Sequence, residues 1–204
     1  MTRSTGTDSA ASGTRAHRLR IVGGQWKRTP IVVPEVAGLR PTPDRVRETL
    51  FNWLGQRLDG LRCLDLFAGT GALGFEAASR GAAHVVLVER DRRAAAAIAA
   101  TIERLHAREV RLVAADAFDA LHRLAQAGER FDVVFVDPPF DQALQARALA
   151  ALAPVLACGA VVYVESGDAL QPPAGWRLER EGRAGQVRYH LLSRQADAPT
   201  GNDA

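Results

Sequence analysis

Five short apolar runs recur through the middle of the chain, at 62–67, 84–89, 110–115, 131–136 and 160–165. Between them lie stretches of helical composition and spacing, at 72–80, 92–107, 118–127 and 142–156. Strand and helix alternating at this interval predict a parallel sheet covered on both faces, and solidly apolar strands are what double burial requires. After Ser166 the rhythm changes: 176–181 and 186–193 read as two strands around a turn containing Gly182 and Gly185, an antiparallel pair at a sheet edge. Ahead of the alternating region, 19–22 and 31–33 are β-like, with Gly23, Gly24 and Pro30 between them, which predicts an irregular hairpin. Thr42-Pro43 has the form of a helix start, with Thr as cap and Pro at the first helical position. Val46, Leu50, Trp53 and Leu54 then follow at helical spacing, predicting an amphipathic helix over 43–58.

These boundaries divide the chain into a polar, aperiodic tail at 1–17, a hairpin-and-helix extension at 18–58, an α/β domain at 59–194 and a second polar tail at 195–204. At 204 residues, 47% hydrophobic and 24% charged, the chain has the makings of one full core. It has no apolar run of the roughly 18 residues a membrane span needs, and its start lacks the apolar stretch of a secretory signal. Cys63 and Cys158 are far apart and outside any CxxC, which argues for reduced thiols in a cytoplasmic protein rather than a disulfide or zinc site. The five histidines form no metal-spaced cluster, so no metal is expected. Charge adds more. Residues 1–47 hold nine Lys/Arg against three Asp/Glu, whereas 48–204 are slightly acidic, the asymmetry of a nucleic-acid-binding arm on a near-neutral body.

The candidate chemistry gathers at the ends of the predicted strands. Asp65-Leu-Phe67-Ala68-Gly69-Thr-Gly71-Ala-Leu-Gly74 closes the first and opens a helix, with glycines that let a ligand approach bare amides. Gly69 to Gly74 also fits GxGxxG, and Glu89 ends the next strand 20 residues after Gly69, placed for the two hydroxyls of a ribose. A nucleoside-containing cofactor follows. Asp65 beside the glycines suits an ammonium and a sulfonium and would repel a pyrophosphate, which favours S-adenosylmethionine over NAD. Asp116 follows the third strand, as an acceptor for adenine, a helix N-cap, or both. Asp137-Pro138-Pro139-Phe140 ends the fourth strand. A carboxylate and a proline-fixed carbonyl there supply two acceptors for an exocyclic amine, and Phe140 supplies a face for stacking a base. Two acceptors orient the NH2 and stabilise positive charge developing on its nitrogen.

Taken together, Arg20–Gly24, Gly38–Thr42, Asp44–Trp53, Asp65–Gly74, Glu76–Ala83, Val134–Phe140 and Tyr163–Ser166 resemble the bacterial RsmD family, over about residues 18–194. The segment RPTPDRVRETLFNWL together with DPPF is the most specific part of the match. The resemblance implies a Rossmann-like class I methyltransferase fold, mostly parallel, with an antiparallel C-terminal edge pair. It also implies methylation of the N2 amine of one guanine in 16S rRNA, in the small subunit or its assembly intermediate; nothing in the sequence suggests an obligate partner, so a monomer is expected. It assigns Asp65, Gly69 and Gly71 to the cofactor's methionine part, Glu89 to its ribose and Asp116 with Ala117 to its adenine, with Phe67 and Ala68 also cofactor-binding. Arg40, Pro41 and Thr42 would line the entrance, and Asp137, Pro138 and Phe140 would receive the flipped guanine. Arg18, Arg20, Trp26, Lys27 and Arg28 would grip the RNA, with Arg45 or Arg47 near its phosphates. The family supplies no role for residues 1–17.

Other readings compete. A DNA adenine-N6 methyltransferase uses the same two acceptors, but the chain lacks room for a large DNA-recognition domain. A glutamine-N5 protein methyltransferase leaves the basic arm unexplained. An NAD dehydrogenase leaves Asp65 and DPPF without roles. A non-catalytic RNA-binding assembly factor leaves Asp65, Glu89 and Asp137 unexplained.

Overall fold

The computed structural model describes residues 19–36, 39, 42–139 and 142–195. Seven strands form one sheet in the order β3-β2-β1-β4-β5-β7-β6. The parallel part comprises β1 (Arg62–Asp65), β2 (His84–Val88), β3 (Val110–Val113), β4 (Phe131–Val136) and β5 (Leu156–Ser166). The edge pair, β6 (Trp176–Ala184) and β7 (Val187–Arg194), is antiparallel to it and joins through the β5–β7 ladder. The helices are α1 (Asp44–Trp53), α2 (Ala72–Ser79), α3 (Arg92–Leu105), α4 (Ala117–Gln126) and α5 (Gln142–Ala151).

Two apolar clusters lie one on each face of the sheet. Phe135, Tyr163, Tyr189 and Leu191 point to one side, with Phe51 of α1, Phe75 of α2 and Ile98 of α3. Val134, Val136, Val162, Val164 and Leu192 point to the other, with Leu121 and Leu124 of α4 and Leu149 of α5. This is the period-2 alternation of a sheet buried on both faces. α2 is buried along its whole length, which its alanines and Gly74 permit: a Cβ on Gly74 would lie 2.0 Å from Leu87 Cδ2.

Four expectations need correction. α1 begins at Asp44 with Pro43 as its cap and no side-chain capping bond, because the Thr42 hydroxyl is turned to Asp137 instead. It ends at Trp53 rather than 58, and Gly55 and Gln56 follow with left-handed φ of 89° and 65°. The helix predicted over 142–156 stops at Ala151, since Pro154 cannot continue it; a 3-10 turn at Ala153–Val155 leads into β5, which starts four residues before the expected 160. Gly182 is inside β6 rather than in the turn: it lies under the Tyr189 ring, where a Cβ would be 2.4 Å from ring carbons, and the turn is the pair Gly185-Gln186.

The N-terminal hairpin is reduced to one bridge, Arg20–Pro30. Its turn binds α2 instead of extending a ladder. The Ser79 hydroxyl donates to the Gly23 carbonyl at 2.6 Å and accepts from the Trp26 N–H at 2.9 Å, and the Gln25 N–H donates to the Ser79 carbonyl at 2.7 Å. Gly24 has φ +74°, and a Cβ there would fall 1.8 Å from the Ser79 carbonyl oxygen. Leu19, Ile21 and Ile31 complete the same cluster as α1, so extension and domain share one core.

Candidate active site

The C-terminal ends of the parallel strands carry the acidic groups, the edge at which open α/β sheets bind ligands. Asp65 ends β1, 2% exposed, and its Oδ2 accepts the Gly74 N–H at 3.1 Å. Gly69 and Gly71 hold left-handed φ of 55° and 77°. A Cβ at Gly69 would come 2.8 Å from Leu39, and one at Gly71 would come 2.7 Å from the Phe75 ring, so the loop admits only glycine without movement. Phe67 is half-buried and Ala68 buried, its N–H donating to the Val88 carbonyl at 2.9 Å. Glu89 braces the loop: its Oε2 accepts the Gly69 N–H and its Oε1 the Asp91 N–H, each at 2.7 Å. A carboxylate has about four acceptor directions, so two remain. Asp116 is exposed and caps α4 through the Phe118 N–H at 2.9 Å, and Ala117 is the buried first residue of that helix.

Asp137 follows β4, beside buried Pro138. The Thr42 hydroxyl donates to Asp137 Oδ2 at 3.4 Å. Next to it, at the end of β5, is Glu165, to which sequence reasoning assigns no role. It is 5% exposed; the Tyr163 hydroxyl donates to its Oε1 at 2.8 Å, the Thr42 hydroxyl lies beside it, and Gln145 of α5 donates to its backbone carbonyl. A signal was present: a glutamate at the carboxyl end of an apolar strand obeys the same placement rule that selects Asp65, Glu89 and Asp137.

The buried Asp65 and Glu165 and the half-buried Asp137 thus crowd one spot, and among the described residues none of them has a cation within ion-pair distance. Burial pushes Asp65 up to about 7, with the Gly74 amide opposing and Glu89 and Glu165 adding to the rise. Asp137 is pushed well above the carboxylate range by burial, then by Glu165 and Asp65, and Glu165 is raised by burial against its bonds to Tyr163 and Thr42. Such a cluster is complementary to a cation. Its donor set, with the loop that a Cβ would fill and the braced Glu89, fits an adenosyl sulfonium carrying an ammonium.

Of the residues expected to hold RNA, Lys27, Arg28, Arg20 and Arg45 are exposed; Arg20 Nε is 3.3 Å from Asp44. Trp26 is half-buried and packs on the core. Arg47 is a correction. Its side chain has no exposure, so it cannot meet a phosphate from there. It donates to Glu76 at 3.3 Å, Asp44 at 2.6 Å and the Arg20 and Thr42 carbonyls. Glu76 in turn accepts from Arg80 and the Val22 N–H, each at 2.8 Å. The cause is visible in the sequence: Arg47 shares a helical face with Phe51, four residues on. Arg18, Arg40, Pro41 and Phe140 lie outside the described residues. Among the described residues no group of acids, histidines and cysteines could hold a metal, and no helix is long and apolar enough to cross a membrane.

A family model described as "Conserved hypothetical protein 95" matches residues 19–193. "Ribosomal RNA small subunit methyltransferase D" of Escherichia coli strain K12 is 44% identical over 191 residues, 91% of this chain and 95% of the relative. The chain belongs to the RsmD family. The Haemophilus influenzae protein of the same name is 38% identical, over 85% of this chain and 92% of its own. A solved structure, "Putative methyltransferase yhhF from Escherichia coli", superposes with a TM-score of 0.78 at 46% identity, covering 88% of this chain and 99% of that one. Membership makes this RsmD-family chain a methyltransferase that uses S-adenosylmethionine, on the Rossmann-like class I fold its strand order displays.

Proposed function

We propose that this RsmD-family enzyme methylates the exocyclic N2 amine of one guanine in 16S rRNA, acting in the cytoplasm as a monomer on the small subunit or its assembly intermediate. The relatives' names supply the rRNA class. The observation that carries the chemistry is Asp137 beside Pro138 at the end of β4, on the same sheet edge as the glycine loop and with the buried Asp65 and Glu165 around it.

S-adenosylmethionine supplies an electrophilic methyl group on a positively charged sulfur. Asp65 would hold the cationic end of that donor, Glu89 would offer its two free acceptor directions to the ribose, and Asp116 with Ala117 would meet the adenine edge. Thr42, whose hydroxyl donates to Asp137, would line the entrance. The guanine N2 lone pair is delocalised into its ring. Asp137 and the Pro138 carbonyl take one amine hydrogen each, which orients the nitrogen and concentrates its lone pair toward the methyl group. Positive charge that would grow on the nitrogen as it takes the methyl group would lie next to Asp137. Asp137 then accepts one N–H proton, leaving a neutral methylamine. Phe140 stacks the flipped base.

The test is methyl transfer from labelled S-adenosylmethionine to small subunits lacking the modification, followed by nucleoside analysis. N2-methylguanosine at one site is expected. N6-methyladenine in DNA, or label in protein, overturns the substrate assignment.

A further inference from the structure

Arg183 and Arg188 stand directly opposite each other in the β6–β7 ladder. Like charges across an antiparallel pair repel. Among the described residues neither has an acidic side chain within ion-pair distance, whereas Arg177 on the same strand is paired with Glu179. Arg183 is exposed, and its Nε donates to the Gly185 carbonyl at 2.9 Å.

The ladders fix where this pair lies. Val136 of β4 is opposite Val164 of β5, so Asp137 and Pro138 run level with Glu165 and Ser166; Ser166 is opposite Arg188. At about 4.8 Å per strand, the backbone of Arg188 is about 10 Å and that of Arg183 about 15 Å across the sheet from the Asp137 turn, at the same end of the strands, with both side chains on the sheet face that Leu192 occupies. An open concavity lined by Gly167, Asp168, Arg183 and Gln186 separates the hairpin from the segment after β5, and Asp168 is the one acid in that lining. The whole hairpin, 176–194, carries five arginines and two glutamates. It forms the outer edge beyond β5, while the N-terminal arm binds α2 toward the other end of the sheet.

We propose that Arg183 and Arg188 together bind a backbone phosphate of the RNA beside the target nucleotide, giving a second grip across the site from the arm. This rests on the RNA reading above. An anion between the two guanidinium groups relieves their repulsion and offers the bidentate geometry arginine favours.

The test is full-length protein binding naked 16S rRNA and small-subunit particles across a salt series, for wild type, R183A/R188A and R183E. The double variant is expected to lower RNA affinity, to reduce the log–log salt slope by about 0.7 for the lost phosphate contact, and to leave cofactor affinity unchanged. R183E, which sets opposite charges across the ladder, is expected to hold or raise Tm while lowering RNA affinity. Unchanged affinity and slope in both variants overturn the proposal, as does a loss confined to protein-bearing particles, which would mean a contact with a ribosomal protein. Failure of the wild type itself to bind RNA overturns the substrate reading and this inference with it.

Discussion

Asp65 stores a folding cost that the methyl donor can relieve. Its carboxyl is ordinarily near 3.8 and is raised to about 7 by burial in the folded protein. Protonation of this group therefore favours the folded state, a contribution fully present below the ordinary value and lost as pH rises through about 7. At pH 8 burying the carboxylate costs about 4 kcal/mol, because a tenfold change in proton affinity is worth about 1.36 kcal/mol. At pH 5 the cost is about 2 kcal/mol, because the folded state then keeps its proton. D65N preserves an acceptor for the Gly74 N–H and removes the charge. Whatever the fixed cost of the amide, the stability of cofactor-free D65N relative to wild type must fall by about 2–3 kcal/mol between pH 8 and pH 5. Urea unfolding of both proteins at the two pH values measures this. The same substitution removes the charge proposed to face the ammonium, so calorimetry should show cofactor affinity down by about tenfold or more. A stability difference that is equal at both pH values, or D65N binding the cofactor as wild type does, refutes the reasoning.

D137A should lose most turnover in the labelled-transfer assay while binding the cofactor normally; equal activity would remove Asp137 from the chemistry. E165Q keeps the acceptor for Tyr163 but removes a charge that raises Asp137, so the acid limb of the kcat–pH profile should move to lower pH. R47A leaves Glu76 partly unpaired in the core and should cost about 3–5 kcal/mol, seen as a large drop in Tm. R20A/K27A should weaken RNA binding and flatten its salt dependence, and an unchanged slope would remove the arm from the interface.

What the sequence makes legible is whatever obeys a short-range rule. The parallel strands reveal themselves by apolar runs, and the carboxylates by their position where those runs stop. The errors come where one residue answers to a distant partner. Thr42 has the pattern of a cap, but its hydroxyl serves Asp137, 95 positions away. Arg47 has the residue type of a phosphate ligand, but Glu76 of another helix claims it. Gly182 has the composition of a turn, but a Tyr189 ring covers it. Glu165 is easily passed over because its neighbours in the site, Tyr163 and Thr42, meet it only after β5 and the extension have folded.

α2 touches both halves of the task. Its N-terminus springs from Gly71 of the cofactor loop, and its last turn, through Glu76 and Ser79, fastens the arm at Val22, Gly23 and Trp26. Buried along its length, this helix behaves as the fixed bar of a caliper, with one jaw at the methyl group and the other at the tip of the arm. The span between them is set by two turns of helix and leaves little slack. With the arm on the RNA as proposed, selection among many chemically identical amines becomes partly a matter of measurement: a nucleotide is eligible if its surroundings can be grasped at that one distance.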